Sequence, residues 1–187
     1  MARAFFDDPP FVWILRSPTT RERRLRRFFL TCLRADALGR EQVAVVEVAR
    51  SGERLVGGAI WYPPSHWPPA QRGGWAALAG YVRAFGRRLG PATALVQTMA
   101  RVHPHQPHWY LAYIGVEPDW QGRGVGSALL RSRLAICDEE LADAYLESSK
   151  LANVPLYQHF GFQPTGVVPA PSGAPPITAM SRPAPAR

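Results

Sequence analysis

The residues best suited to chemistry in this chain lie between Tyr110 and Phe162. Gln121-Gly122-Arg123-Gly124-Val125-Gly126 stands between an apolar stretch, Tyr110 to Val116, and a helical pattern that begins at Ser127. A strand, a glycine-rich loop and a helix N-terminus in that order form an anion site. The loop amides converge on a cluster of oxygens, and the helix end contributes about half a positive charge. Glycine lets the backbone approach a ligand where a Cβ would collide. Two familiar phosphate loops fail on spacing: a dinucleotide fingerprint needs a third glycine where Ser127 stands, and a Walker A loop needs Gly-Lys-Ser/Thr, which the segment lacks.

A second constellation follows in Leu146-Glu147-Ser148-Ser149-Lys150, with Asn153, Tyr157, Gly161 and Phe162 beyond it. Taken alone, Asn-x-x-x-Tyr on a helix is more often a cap and a core aromatic; beside the glycine loop it gains a functional reading. Glu147 can serve as a general base or pair with an arginine, and the residue types leave both readings open. His108 and His159 are weaker candidates for the base. His103, His105 and His108 bring no nearby acidic or cysteine partner, so they read as a polar loop rather than a metal site. Cys32 and Cys137, the two cysteines, fall on apolar faces of predicted helices and act as small hydrophobes, with no disulfide framework or metal site implied.

These residues need a scaffold, and periodicity supplies one. Leu25, Phe28, Phe29, Cys32 and Leu33 predict a helix over 20–38, opened by a capping box at Thr19-Thr20-Arg21-Glu22. Valine-rich 42–50 and apolar 55–62 predict an antiparallel hairpin. Two helices follow at 75–89 and 92–102, parted by Gly90-Pro91, after a loop over 65–74. Then come a strand at 109–116, a helix at 127–137, a strand at 144–148, a short helix at 154–160, and strands at 166–168 and 177–180. The fold class is α/β (α+β). At 187 residues the chain fits one domain, 1–168, followed by a Pro-rich segment, 169–187, with a last strand near 177–180.

The net charge of +8 is almost wholly arginine, since Lys150 is the only lysine. It suits an anionic partner, but the six arginines from Arg16 to Arg27 read as a solvated helix face, without the interleaved aromatics of a nucleic-acid platform. The chain shows neither a secretory signal nor an apolar run of the ~20 residues that a membrane span needs. A soluble cytoplasmic protein is expected, with neither nucleic acid nor membrane as partner.

Gln121, Gly124 and Gly126 match the GNAT acetyl-CoA signature Gln/Arg-x-x-Gly-x-Gly/Ala in type and interval, and Asn153, Tyr157, Gly161 and Phe162 match the family's second block. Phe5-Phe-Asp-Asp-Pro, Trp61-Tyr-Pro-Pro, His108-Trp-Tyr-Leu-Ala and Leu146-Glu-Ser-Ser resemble the branch that contains puromycin N-acetyltransferase. The resemblance implies a mixed central sheet with helices on both faces. It also implies direct transfer of acetyl from acetyl-CoA to a primary amine, with no metal. The cofactor would lie on Ile114, Gly115, Val116, Gln121, Gly122, Arg123, Gly124, Val125, Gly126, Ser127, Asn153 and Tyr157. Its pantetheine would pair with strand 110–116, the Val116 N–H would hold the thioester carbonyl, and Tyr157 would be the acid. Glu147 is the candidate base. Trp61, Tyr62, Trp109 and Tyr110, with Phe11 and Trp13, are expected to line a pocket for a small-molecule amine. A protein or peptide acceptor, or a non-catalytic acyl-CoA-binding module, are the alternatives. The family's opening strand has no counterpart here, which predicts an exposed sheet edge at the hairpin, 42–62, that a neighbour, the Pro-rich tail or the second subunit of a homodimer must cover.

Overall fold

The computed structural model describes residues 1–39, 42–66 and 74–186, so most of the loop expected over 65–74 lies outside them. After a run of turns come two helices, α1 (Pro9–Ile14) and α2 (Pro18–Cys32). Leu25, Phe28, Phe29 and Cys32 are buried along one stripe of α2. The helix starts from Ser17 with Pro18 in its first turn, and no side chain caps it. Proline there has its φ preset and no N–H to leave unsatisfied, so the expected capping box at Thr19 is not used. After Cys32 the chain widens into a π turn, Leu33–Ala37.

The hairpin is β1 (Val45–Ser51) and β2 (Arg54–Tyr62). Helices α3 (Gly74–Phe85) and α4 (Leu89–Val102) follow, and the break falls at a 3₁₀ turn, Gly86–Arg88, rather than at Gly90-Pro91. Gly86 has φ +53°, a value that L side chains rarely adopt, whereas Pro91 sits in the first turn of α4, where a missing N–H costs nothing. Then come β3 (His108–Val116), α5 (Val125–Glu139), β4 (Asp143–Ser148), α6 (Val154–His159), β5 (Gln163–Val167) and β6 (Thr178–Arg182).

The six strands form one mixed sheet in the order β1-β2-β3-β4-β6-β5, in which β3 and β4 are the parallel pair, joined through α5. The strand expected at 177–180 is β6, and it runs between β4 and β5 with Met180 fully buried. Two cores flank the sheet. On one face Phe11, Phe28, Phe29, Phe85 and Leu95 pack from α1 to α4, with Tyr113 against them. On the other, Leu130 and Leu134 of α5 pack on Trp61, Trp109, Leu146, Phe162 and Met180. No described helix is long and apolar enough to cross a membrane.

Candidate active site

Strand β3 is where the sheet opens. Its pairing with β4 runs only from His108 opposite Asp143 to Leu111 opposite Leu146, so its last five residues have no β4 partner. A bulge contributes. Ile60 faces Tyr113 and Trp61 faces Leu111, which leaves Ala112 as the extra residue. One added residue reverses the alternation of faces, so Tyr113 joins Tyr110 on the α2 side of the sheet while Ile114 turns toward α5. Beyond the bulge, Glu117 N–H bonds Val56 O at 2.9 Å. The antiparallel alternation then turns the amides of Ile114 and Val116 away from β2, into the opening.

The glycine loop lies at the mouth of this opening. Gly122 and Gly124 have φ +71° and +79°, so both need the conformational freedom that only glycine has cheaply. Gly124 is the N-cap of α5, and the first backbone bond of that turn runs from Ala128 N–H to Gly124 O at 2.9 Å. The amides of the first turn are therefore left for a ligand. The Gln121 amide nitrogen donates to Val116 O at 3.3 Å, which ties the loop to the end of the strand. Donors, positive-φ glycines and a free strand edge suit a pyrophosphate followed by an amide-bearing arm.

A cavity of about 800 Å³ runs from this loop into the sheet. Ile114, Gly115, Val116, Gln121, Gly122, Gly124, Val125, Gly126, Ser127, Asn153 and Tyr157 all line it, as does Glu147. Of the residues expected to hold the cofactor, Arg123 alone stands off the cavity, stacked on Trp120 at 5.1 Å. The aromatic expectation divides by strand parity: Tyr62, Tyr110 and Phe11 line the cavity. Trp61 and Trp109 do not. Both are buried on the α5 face, where the Trp109 indole donates to Glu140 at 2.8 Å, because successive residues of a strand point to opposite sides. Trp13 also lies elsewhere, under the Arg88 guanidinium.

Sequence reasoning missed several lining groups. Asp8 is buried at the cavity wall, and Ser149 Oγ donates to it. Burial pushes the Asp8 carboxyl above its ordinary range, against the opposing pull of Ser149 and Lys150. Asp36 also lines the cavity and accepts from the Tyr62 hydroxyl at 2.6 Å. Phe28, Tyr81 and Phe85 complete an aromatic wall from α2 and α3. The Phe5-Phe-Asp-Asp segment was the available signal for Asp8, since a carboxylate drawn in beside an apolar run is costly to bury without a partner. The Tyr157 hydroxyl is pushed up to about 12, by burial first and by the charge on Asp8 second.

The acetyltransferase (GNAT) domain family matches residues 94–164, the stretch that carries β3, the loop, α5, β4 and α6. An uncharacterized N-acetyltransferase of Schizosaccharomyces pombe is 31% identical over 175 residues, which cover 85% of this chain and 66% of that protein. The chain belongs to the GNAT acetyltransferase superfamily. A crystal structure described as histone acetyltransferase HPA2 and related acetyltransferase, from Corynebacterium glutamicum, is 29% identical, with a TM-score of 0.74 over 100% of this chain and 88% of that one. The polyamine N-acetyltransferase of Drosophila melanogaster is 15% identical over 96% of this chain and 90% of its own, with a TM-score of 0.58. At that identity it shows the shared GNAT fold. This GNAT chain spans 66% of the length of its fission-yeast relative.

Proposed function

We propose that the protein is an acetyl-CoA-dependent N-acetyltransferase whose acceptor is a primary amine on a small, partly aromatic molecule. The observation that carries this reading is the single cavity shared by the glycine loop, the unpaired end of β3, Tyr157 and Glu147. The pyrophosphate rests on the amides of the loop and the first turn of α5. The pantetheine extends along Ile114 to Val116, as an added strand.

An alkylammonium, with a pKa near ~10.4, must lose a proton before its nitrogen can attack. Glu147, whose side chain is 1% exposed, is the acceptor for that proton. The nitrogen lone pair then forms a bond to the thioester carbon, and the oxygen that gains charge is held by the outward Val116 N–H. Collapse breaks the carbon–sulfur bond and leaves a thiolate. Tyr157 stays protonated across the working range, because its hydroxyl titrates at about 12. A thiol is the stronger acid, at ~8.5 on the cysteine value, so the hydroxyl stabilises the departing sulfur mainly by donating a hydrogen bond to it. A full proton handover would run uphill.

The acceptor side favours a compact cation with an apolar body. Tyr62, Tyr81, Phe85 and Tyr110 offer flat faces, while Asp8, Asp36 and Glu147 supply negative charge within a chain of net charge +8. A basic peptide tail would meet that positive net charge before it met the cavity. We place the protein in the cytoplasm. The test is a panel of aminonucleosides, aminoglycosides, polyamines, arylalkylamines and histone-like peptides, scored by thiol release from acetyl-CoA. Turnover of peptides alone would overturn the substrate class and spare the cofactor reading. Acetyl-CoA binding without turnover of any amine would favour an acyl-CoA-binding module.

A further inference from the structure

We propose that His103 and His108 form a buried proton relay that connects Glu147 to a separate crevice at the other end of the parallel strand pair. The relay rests on the reading of Glu147 as the base. His103 ends α4 and His108 begins β3; they are 5% and 7% exposed. Their Nε2 atoms are 2.9 Å apart, and His103 Nδ1 is 3.6 Å from Glu147 Oε1. His108 Nδ1 lies 2.7 Å from Gln106 O. The crevice, about 230 Å³, is lined by His108, Gln106, Asp143, Tyr145 and Arg182. Glu147 lines the large cavity instead. The three side chains thus span the layer between two solvent-accessible spaces.

Hydrogen-bond bookkeeping fixes the protons. A carbonyl only accepts, so His108 carries its proton on Nδ1 and presents a bare Nε2 to His103. At 2.9 Å, His103 must then donate from its own Nε2. In the form with one proton per ring, His103 Nδ1 presents a lone pair to Glu147 Oε1 across 3.6 Å. In that form the nitrogen able to take a proton adjoins the group that receives one from the substrate.

Acetylation of an ammonium by a thioester releases one net proton: two leave nitrogen, and the thiol keeps one. In the relay, Glu147 takes a proton from the ammonium and passes it to His103 Nδ1. His103 hands its Nε2 proton to His108 Nε2, and His108 gives its Nδ1 proton to water in the crevice; each neutral ring then turns over, which restores His103 Nε2–H and His108 Nδ1–H for the next turnover. The titratable neighbours favour this path. Burial, then the charge on Glu147, drives the Tyr110 hydroxyl far up, and the same two causes act on Tyr145, so neither phenol competes for the proton. Burial also lowers His108, aided by His103 and opposed by Gln106 O, Glu147 and Asp143, so a cationic His108 gives up its proton readily. Both rings are held in place by tyrosines, with His103 4.8 Å from the rings of Tyr110 and Tyr145.

The experiment combines turnover with direct observation of the imidazoles. His108→Asn keeps a side chain that can bond Gln106 O and His103 but cannot carry a proton. With an amine acceptor identified from the panel, it should lower kcat roughly tenfold or more near neutral pH, with the KM for acetyl-CoA unchanged. His108→Ala should recover rate with added imidazole, which a purely structural role would not. Nitrogen-detected NMR of the wild-type protein should find His108 protonated on Nδ1 and His103 on Nε2; the opposite tautomers would overturn the relay even if neither variant folds. Glu147→Gln separates the two readings. If that variant is inactive while His108→Asn keeps wild-type turnover, the relay is wrong and the base stands. If Glu147→Gln keeps wild-type turnover, the base assignment falls and the relay falls with it.

Discussion

Removing one oxygen from Tyr157 tests the chemistry with little disturbance to the fold. The ring packs edge to face on Phe162, with centroids 6.2 Å apart, and phenylalanine keeps that contact. Tyr157 lines the cavity, so Tyr157→Phe should change folding stability by less than about 0.5 kcal/mol. The catalytic cost is larger. The variant loses a preorganised donor to a developing anion in a buried site, worth about 2.7–4 kcal/mol, or 10² to 10³ in kcat. Acetyl-CoA affinity should barely move, because the sulfur gains its charge only in the transition state. Because the hydroxyl titrates at about 12, the ratio of wild-type to variant rates should be flat between about pH 6 and 9. Thiol release measured across that range, with calorimetry for the cofactor, gives every quantity. Equal kcat values in a folded variant would reduce Tyr157 to a packing residue. A ratio that collapsed within the range would mean that its proton does titrate there and that the pKa argument is wrong.

Gly124→Val should abolish acetyl-CoA binding in calorimetry, since φ +79° disfavours a β-branched residue and its methyls would meet the pyrophosphate; undiminished affinity would move the cofactor off the loop. Phe162→Ala should cost about 3–5 kcal/mol in urea unfolding, because the side chain is fully buried against Trp61, Leu146 and Tyr157, and a much smaller loss would mean that this core collapses to fill the space. Asp8 binds its proton more tightly when folded than its usual 3.8 implies, so the folded state holds the extra proton and stability declines as pH rises from ~3.8 through the raised value. Asp8→Asn should remove that decline, and denaturant melts at a series of pH values that kept the wild-type slope would show that Asp8 is not its source. Strand β1 ends the sheet with Val46 and Val48 exposed, so light scattering should find a dimer; a monomer at high concentration would show that the open edge is tolerated.

What could be read from the chain was what local spacing controls. Gly122 and Gly124 announce a tight loop because left-handed φ is cheap only for glycine, and the strand and helix around them follow from periods of two and 3.6. Asn153 and Tyr157 fell on the cavity because the block that carries them keeps a fixed interval from β4 to α6. Boundaries failed where two local signals competed, as at Thr19 against Pro18 and at Gly90 against Gly86. At the second, Arg24 also bonds the carbonyls of Ala84 and Phe85, a tertiary contact that holds the turn at Gly86. Aromatic residues in adjacent pairs, Trp61-Tyr62 and Trp109-Tyr110, could not be sorted by type, because parity and the Ala112 bulge decide which ring meets the cavity and which enters the core. His103 and His108 looked like a loop without a carboxylate, since their partner Glu147 is supplied by the parallel strand, 44 and 39 residues further along the chain. A sequence displays what is near along the chain. Which distant groups share a low-dielectric space, and therefore exchange protons, is decided only when β3 and β4 lie side by side.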